Sequence, residues 1–92
     1  MNDPFMLDVF ATTEVLHSTL IRLRGKYSVF VTLEKYGREP DAAKIDLWNK
    51  RTTELTLLID EMITATLEDK KSAIKIYSKE LRHLNESVNR LS

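Results

Sequence analysis

From Asp41 to Leu91 the chain runs about fifty residues without a glycine or proline, and its apolar positions recur in steps of three and four. The line begins Ile45, Trp48, Thr52, Leu55, Ile59 and Met62. After an irregular patch it resumes as Ile74, Tyr77, Leu81, Leu84, Val88 and Leu91. Such steps keep one side of a helix apolar, and their near-3.5 average favours left-handed, coiled-coil-like packing. At about 1.5 Å per residue an unbroken helix of this length reaches about 75 Å. A second stripe lies upstream: Phe5, Val9, Thr13, Leu16, Leu20 and Leu23, broadened by Phe10 and Ile21, with Thr12, Ser18, Thr19 and Arg22 opposite. Asn2 or Asp3 can cap this helix, and Pro4 suits a first turn whose N–H has no intrahelical partner.

Between these stripes the pattern is ambiguous. Gly25 can close the first helix, or sit inside it at a cost of about 1 kcal/mol relative to Ala. Residues 26–34 have high β-propensity, with Tyr27, Val29, Val31 and Leu33 alternating. No other run in the chain pairs with them, and a lone strand is unstable. Read as helix, Leu23, Tyr27, Phe30 and Glu34 continue the upstream seam on schedule. The expectation is therefore helix, kinked at Gly25 if anywhere, with intermolecular β-pairing as the alternative. Gly37-Arg38-Glu39-Pro40 is a turn: Gly37 suits a left-handed cap, and Pro40-Asp41 opens the next helix.

These elements predict one all-α domain, a long antiparallel helical hairpin with helix 4–36, turn 37–40 and helix 41–91. The charges along the long helix reverse midway. Glu54 to Asp69 holds five acidic residues (Glu54, Asp60, Glu61, Glu68, Asp69) and no basic one. Lys70 to Arg82 holds five basic residues (Lys70, Lys71, Lys75, Lys79, Arg82) and one acidic, Glu80. The seam slips at the same place, as a stutter does in a continuous helix. The competing reading is a break near Leu67, with Thr66 or Asp69 capping a separate last helix. The absence of Gly and Pro there favours continuity.

If continuous, the second helix outreaches the first, which covers only about 40 Å of it. The seam Ile74, Tyr77, Leu81, Leu84, Val88 and Leu91 would then need covering by another copy. Antiparallel pairing would set the acidic half of each rod against the basic half of its partner. This predicts a homodimer with a two-fold axis near Asp69–Lys71.

Composition narrows the classes. The 92 residues are 42% hydrophobic and 30% charged, in the range of a soluble helical protein and too apolar for disorder. Basic and acidic residues number 14 each, so no overall field recruits nucleic acid or an acidic membrane. With no cysteine there is neither disulfide nor thiolate metal site, which fits a reducing compartment. The first Lys or Arg is Arg22, so the start lacks the basic region of a secretory signal, and no apolar run approaches a membrane span. The expected location is cytoplasmic.

The candidate chemistry is sparse. Glu14-x-x-His17 and Glu80-x-x-His83 both carry the spacing used in helical di-metal sites, with Glu54, Asp60 or Glu61 to complete a set. His83 falls mostly on the solvated side and both glutamates at seam margins, so a partly buried His17 and a surface His83 are the simpler reading. Lys71, Lys75, Lys79 and Arg82 form a one-sided basic stripe, a candidate anion-binding surface that could track phosphates. No aromatic shares that face to stack bases, so a solvated face is the simpler reading here also. There is no nucleophile constellation and no Gly-rich phosphate loop. Trp48, Tyr77, Tyr27 and Phe30 sit at seam spacing, where core packing is the default.

The pattern is generic to helical hairpins and identifies no family. It predicts a non-enzymatic, cofactor-free interaction module (a regulator, adaptor, chaperone or inhibitor) working as a homo-oligomer. The alternatives are nucleic-acid or nucleotide binding through the basic stripe and, behind it, a small di-metal bundle.

Overall fold

A computed structural model describes the backbone of residues 4–91 and the side chains of residues 8–87. It contains three helices: α1 (Pro4–Lys35), α2 (Ala42–Ile63) and α3 (Leu67–Leu91). α1 is the central element, packed along one side by α2 and along another by α3. The expected caps Asn2 and Asp3, and the side chains of Phe5, Val88 and Leu91, lie outside the described residues.

α1 runs through Gly25 to Lys35 without interruption, so the β-propensity of residues 26–34 does not decide their state. Tertiary packing does. A helix places Leu23, Tyr27 and Val31 on one face, and Leu23 and Val31 are buried there. Phe30 meets Trp48 of α2 at 5.5 Å between ring centroids, and Tyr27 meets Phe30 edge-on at 6.2 Å. A strand would put Val29 and Leu33, which are exposed, on the same face as Tyr27 and Val31 and turn Phe30 away, with no second strand to accept its backbone.

The expected turn at 37–40 is present, one residue longer at each end and with one further difference. Asp41 caps α2: its Oδ1 accepts from Ala43 N at 2.9 Å and Lys44 N at 3.3 Å. Glu34 at the end of α1 accepts from Asp41 N at 3.0 Å, tying the two helix ends together. Gly37, however, does not take the left-handed conformation expected of it. Its N–H donates to Glu34 O at 3.2 Å, closing the helix without a positive φ.

The major correction concerns residues 41–91, which form two helices and not one. α2 ends at Ile63 and α3 begins at Leu67, so the hairpin becomes a three-helix arrangement. The chemistry at the break explains it without Gly or Pro. Thr66 Oγ1 accepts from Asp69 N at 3.1 Å, an N-cap bond, and Glu68 and Asp69 place negative charge in the first turn of α3. Lys70 is only 5% exposed, and its Nζ reaches back to Ile63 O at 3.4 Å and across to Thr13 Oγ1 at 3.0 Å. It thereby places a cation at the C-terminal end of α2, where the last carbonyls have no helical partners. The charge reversal marks one helix ending and another starting, and the slipped seam is not a stutter.

The core consists of Leu16, Leu20 and Leu23 of α1, Leu55 of α2 and Ala73 of α3. Ile59 and Met62 pack against it from α2, and Ile74, Tyr77, Leu81 and Leu84 from α3. The four α3 residues, expected at an interface between copies, are therefore half-covered by their own chain. With the rod bent, the argument for a two-fold axis near Asp69–Lys71 loses its basis. The molecule measures 58 × 25 × 18 Å, against the ~75 Å expected of a continuous second helix. The buried arc of α1 is also rotated from the expected one. Thr12 and Thr19 are buried, whereas Phe10 and Ile21 are exposed, because α1 must face two neighbours and not one. Among the described residues no helix is long and apolar enough to cross a membrane.

Leu20→Ala and Leu55→Ala each remove a side chain with no solvent exposure. Each should cost on the order of 2–5 kcal/mol, read as a lowered midpoint in urea denaturation. Gly25→Ala should do the reverse, stabilising the fold by about 0.5–1 kcal/mol and raising the midpoint, since a Cβ there meets no atom within 4 Å.

Candidate functional site

At Glu80 all three helices meet through hydrogen bonds. Its Oε2 accepts from the Tyr27 hydroxyl of α1 at 2.7 Å and from Arg51 Nε of α2 at 3.1 Å. Its Oε1 accepts from Arg51 Nη2, making the pair bidentate. Arg51 further donates to Glu54 at 3.0 Å, and its guanidinium lies 5.9 Å from the centre of the Tyr77 ring. Both charged side chains are about three-quarters covered, with 28% and 25% of their surface exposed. Charge-assisted, forked bonds of this kind fix geometry more firmly than single neutral ones.

Burial pushes the Tyr27 hydroxyl up to about 12, helped by its hydrogen bond to the Glu80 carboxylate and by that charge. Burial alone would raise Glu80; the bonds from Arg51 and Tyr27 and the Arg51 charge outweigh it and hold the carboxyl below its ordinary value. The Glu80 hydrogen bond likewise raises Arg51 further, against the burial that opposes it. The cluster therefore keeps its charges, and the donors around Glu80 are committed to joining helices.

This arrangement answers the Glu-x-x-His pairs. Glu80 is held by Arg51 and Tyr27, while His83 is exposed on α3. Glu14 is exposed on α1, and so is His17, which was expected to be partly buried. His17 borders a void of about 20 Å³ between α1 and α2, room for a single water molecule. Among the described residues no three His, Cys, Asp or Glu side chains gather at metal-binding distance, and Glu54, Asp60 and Glu61 do not join either pair. Arg51 and Tyr27 were missed by sequence reasoning as partners of Glu80. The available signal was their position: Arg51 directly precedes Thr52 in the α2 seam, and Glu80 directly precedes Leu81 in that of α3.

The stripe Lys71, Lys75, Lys79 and Arg82 is exposed along α3. Lys71 Nζ pairs with Asp8 of α1 at 3.0 Å. Lys75, Lys79 and Arg82 make no ion pair among the described residues. Two open grooves complete the surface. One, between α1 and α3, is lined by Arg22, Gly25, Lys26, Val29, Leu81 and Asn85. The other follows the outer side of α2 past Asp46, Leu47, Lys50, Glu54 and Leu57. No known protein family, curated protein or solved structure matches this chain.

The Glu80 cluster makes stability depend on pH at both extremes. The contribution of Glu80, whose folded pKa is depressed, is present above its ordinary value of 4.5 and is lost as pH falls through the lower folded value. That of Tyr27, whose folded pKa is raised, is present below 10.0 and is lost as pH rises through about 12. The urea midpoint of the parent should exceed that of Glu80→Gln most between these limits and approach it towards either end. Absorbance titration should show the Tyr27 phenol of Glu80→Gln moving part of the way back towards 10.0.

Proposed function

We propose that this chain is a non-catalytic protein–protein interaction module, a regulator, adaptor, chaperone or inhibitor that works through the outer faces of its helices. Further copies of itself are among its partners. The observation that carries this reading is the distribution of apolar surface. Leu33 is 67% exposed and Tyr36 86% exposed at the end of α1, and Leu47 and Leu57 are 64% and 59% exposed along α2. Single exposed apolar residues are ordinary, but Val29 and Leu33 on one side of α1 and Tyr36, just past its end, follow one another at helical spacing. Such a row suits the apolar face of a partner helix laid alongside it. The polar cluster around Glu80 fits the same reading, since its charged groups are spent on fixing the helices that present these faces.

A second reading, nucleic-acid or nucleotide binding, draws support from the exposure of Lys75, Lys79 and Arg82 and their lack of ion pairs among the described residues. It predicts complexes whose affinity falls steeply with salt, by about one log unit of binding per log unit of salt for each phosphate neutralised. Gel shifts over a salt series separate the two readings.

Leu33→Asp with Tyr36→Asp tests the first directly. Both side chains are exposed, so the thermal midpoint should stay close to that of the parent. Cross-linking in extracts of the native host should lose the adducts made by the parent. Unchanged adducts would remove the outer face of α1 from the interaction.

A further inference from the structure

The fold places the chain's opposite charges on different outer surfaces. The α2 groove carries Asp46 and Glu54, with exposed Asp60 and Glu61 continuing along the same helix; Lys50 is the one basic residue lining it. The groove between α1 and α3 is basic, with Arg22 and Lys26 on one wall. Arg82 lies three residues before Asn85 of the other wall and is exposed. Each surface also has an apolar centre: Leu47 and Leu57 on α2, Val29 and Leu81 across the α1–α3 groove.

Gly25 adds an independent observation. It sits inside a continuous helix, where Gly is destabilising by about 1 kcal/mol relative to Ala. Its conformation needs no glycine, since no described residue has positive φ. Nor does packing within the chain, since a Cβ there would meet nothing within 4 Å. The missing side chain serves nothing inside the fold, and it lowers the wall of the groove between Arg22, Lys26 and Val29. A groove lowered in this way admits a close-lying helix.

Resting on the interaction-module reading, we infer that the α1–α3 groove takes the outer face of α2 from a second copy of this chain, in a head-to-tail contact. Leu57 seats over Gly25, between Val29 and Leu81. Glu54 and Glu61, three residues before and four after Leu57, lie on the same side of α2 and flank it. They reach Arg22 and Lys26 on one rim and Arg82 on the other; Glu54 is already held by Arg51 from within its own helix. Charge selects this pairing over the symmetric ones. Groove against groove brings Arg22 and Lys26 of both copies together, and α2 against α2 opposes Asp46, Glu54 and Glu61 with themselves. Like charges in apposition work against both, whereas the unlike faces attract. A contact between two different faces leaves one of each free, so the assembly grows by further copies, into a ring where the rotation closes and an open filament where it does not.

The chain has no cysteine, so an engineered pair reports without background. Gly25→Cys and Leu57→Cys are prepared as separate variants, checked by thermal melting, mixed and oxidised. The expected product is the mixed disulfide joining one of each, in excess over both homodisulfides. Sedimentation of the parent should show mass rising with concentration. Arg22→Glu with Lys26→Glu should weaken that association about tenfold, the scale of two or three rim ion pairs. Mixing this variant with Glu54→Lys, Glu61→Lys should restore it. Homodisulfides alone, or a parent of monomer mass at every concentration, would overturn the inference. If the parent is monomeric but Leu33→Asp with Tyr36→Asp still abolishes host adducts, the interaction-module reading stands without self-docking. If the parent is monomeric and makes no host adducts at all, both fall.

Discussion

The row Leu16, Leu20 and Leu23 on α1 has to be covered from more than one side, and the rest of the structure follows from that requirement. One helix laid against another hides a narrow stripe. Here the buried arc of α1 extends to Thr12 and Thr19, which a single partner could not reach. α2 supplies Leu55 from one side, and Ala73 closes in from α3. A continuous second helix would leave α1 half-bare and its own far end in water. Bending at Thr64–Thr66 solves both problems with the chain's own residues.

The bend costs the helical hydrogen bonds of roughly one turn, and the local side chains replace several of them. Thr66 caps the new helix, and Lys70 brings its ammonium to the carbonyl of Ile63 while also bonding Thr13. Farther along, Glu80 joins Tyr27 and Arg51, so α2 and α3 are linked to each other as well as to α1. Two polar ties, one near each end of the packed region, thus set the register that the leucines alone would leave loose. Fully partnered polar groups of this kind specify an arrangement even where their net contribution to stability is small.

The bend also sorts the charges. In the chain the acidic run and the basic run are adjacent; in the fold Glu54, Asp60 and Glu61 stay on α2, while Glu68, Asp69 and the basic run fall on α3, on helices that flank α1 from different sides. A molecule of zero formal net charge therefore has a groove edged by Asp46 and Glu54 and another edged by Arg22 and Lys26, each with apolar side chains at its centre. Such surfaces favour docking by helices in a preferred direction, with apolar contact supplying affinity and charge supplying orientation.

How much of this was legible beforehand differs by element. The periods of Leu16, Leu20 and Leu23 and of Ile74, Tyr77, Leu81 and Leu84 determined that the chain is helical and that these residues are covered, because those spacings gather on one side of a helix; that the α3 set packs on its own chain, where an interface between copies was expected, they did not determine. The turn at 37–40 and the opening of a helix at Pro40-Asp41 were equally readable, since the bonds that make them are local. The break after Ile63 was not. Thr66 and Asp69 are competent caps in sequence, but a cap competes with continued helix at nearly equal local energy, and only the uncovered side of α1 decides between them. The Glu80 cluster was out of reach for a related reason: Tyr27 and Glu80 are 53 residues apart, and their meeting depends on the bend. Local periodicity determined that the chain is helical and where its apolar seams lie; the tertiary structure decided how wide an arc of α1 is buried, where the last helix begins, which carboxylate is held, and which charges face outward.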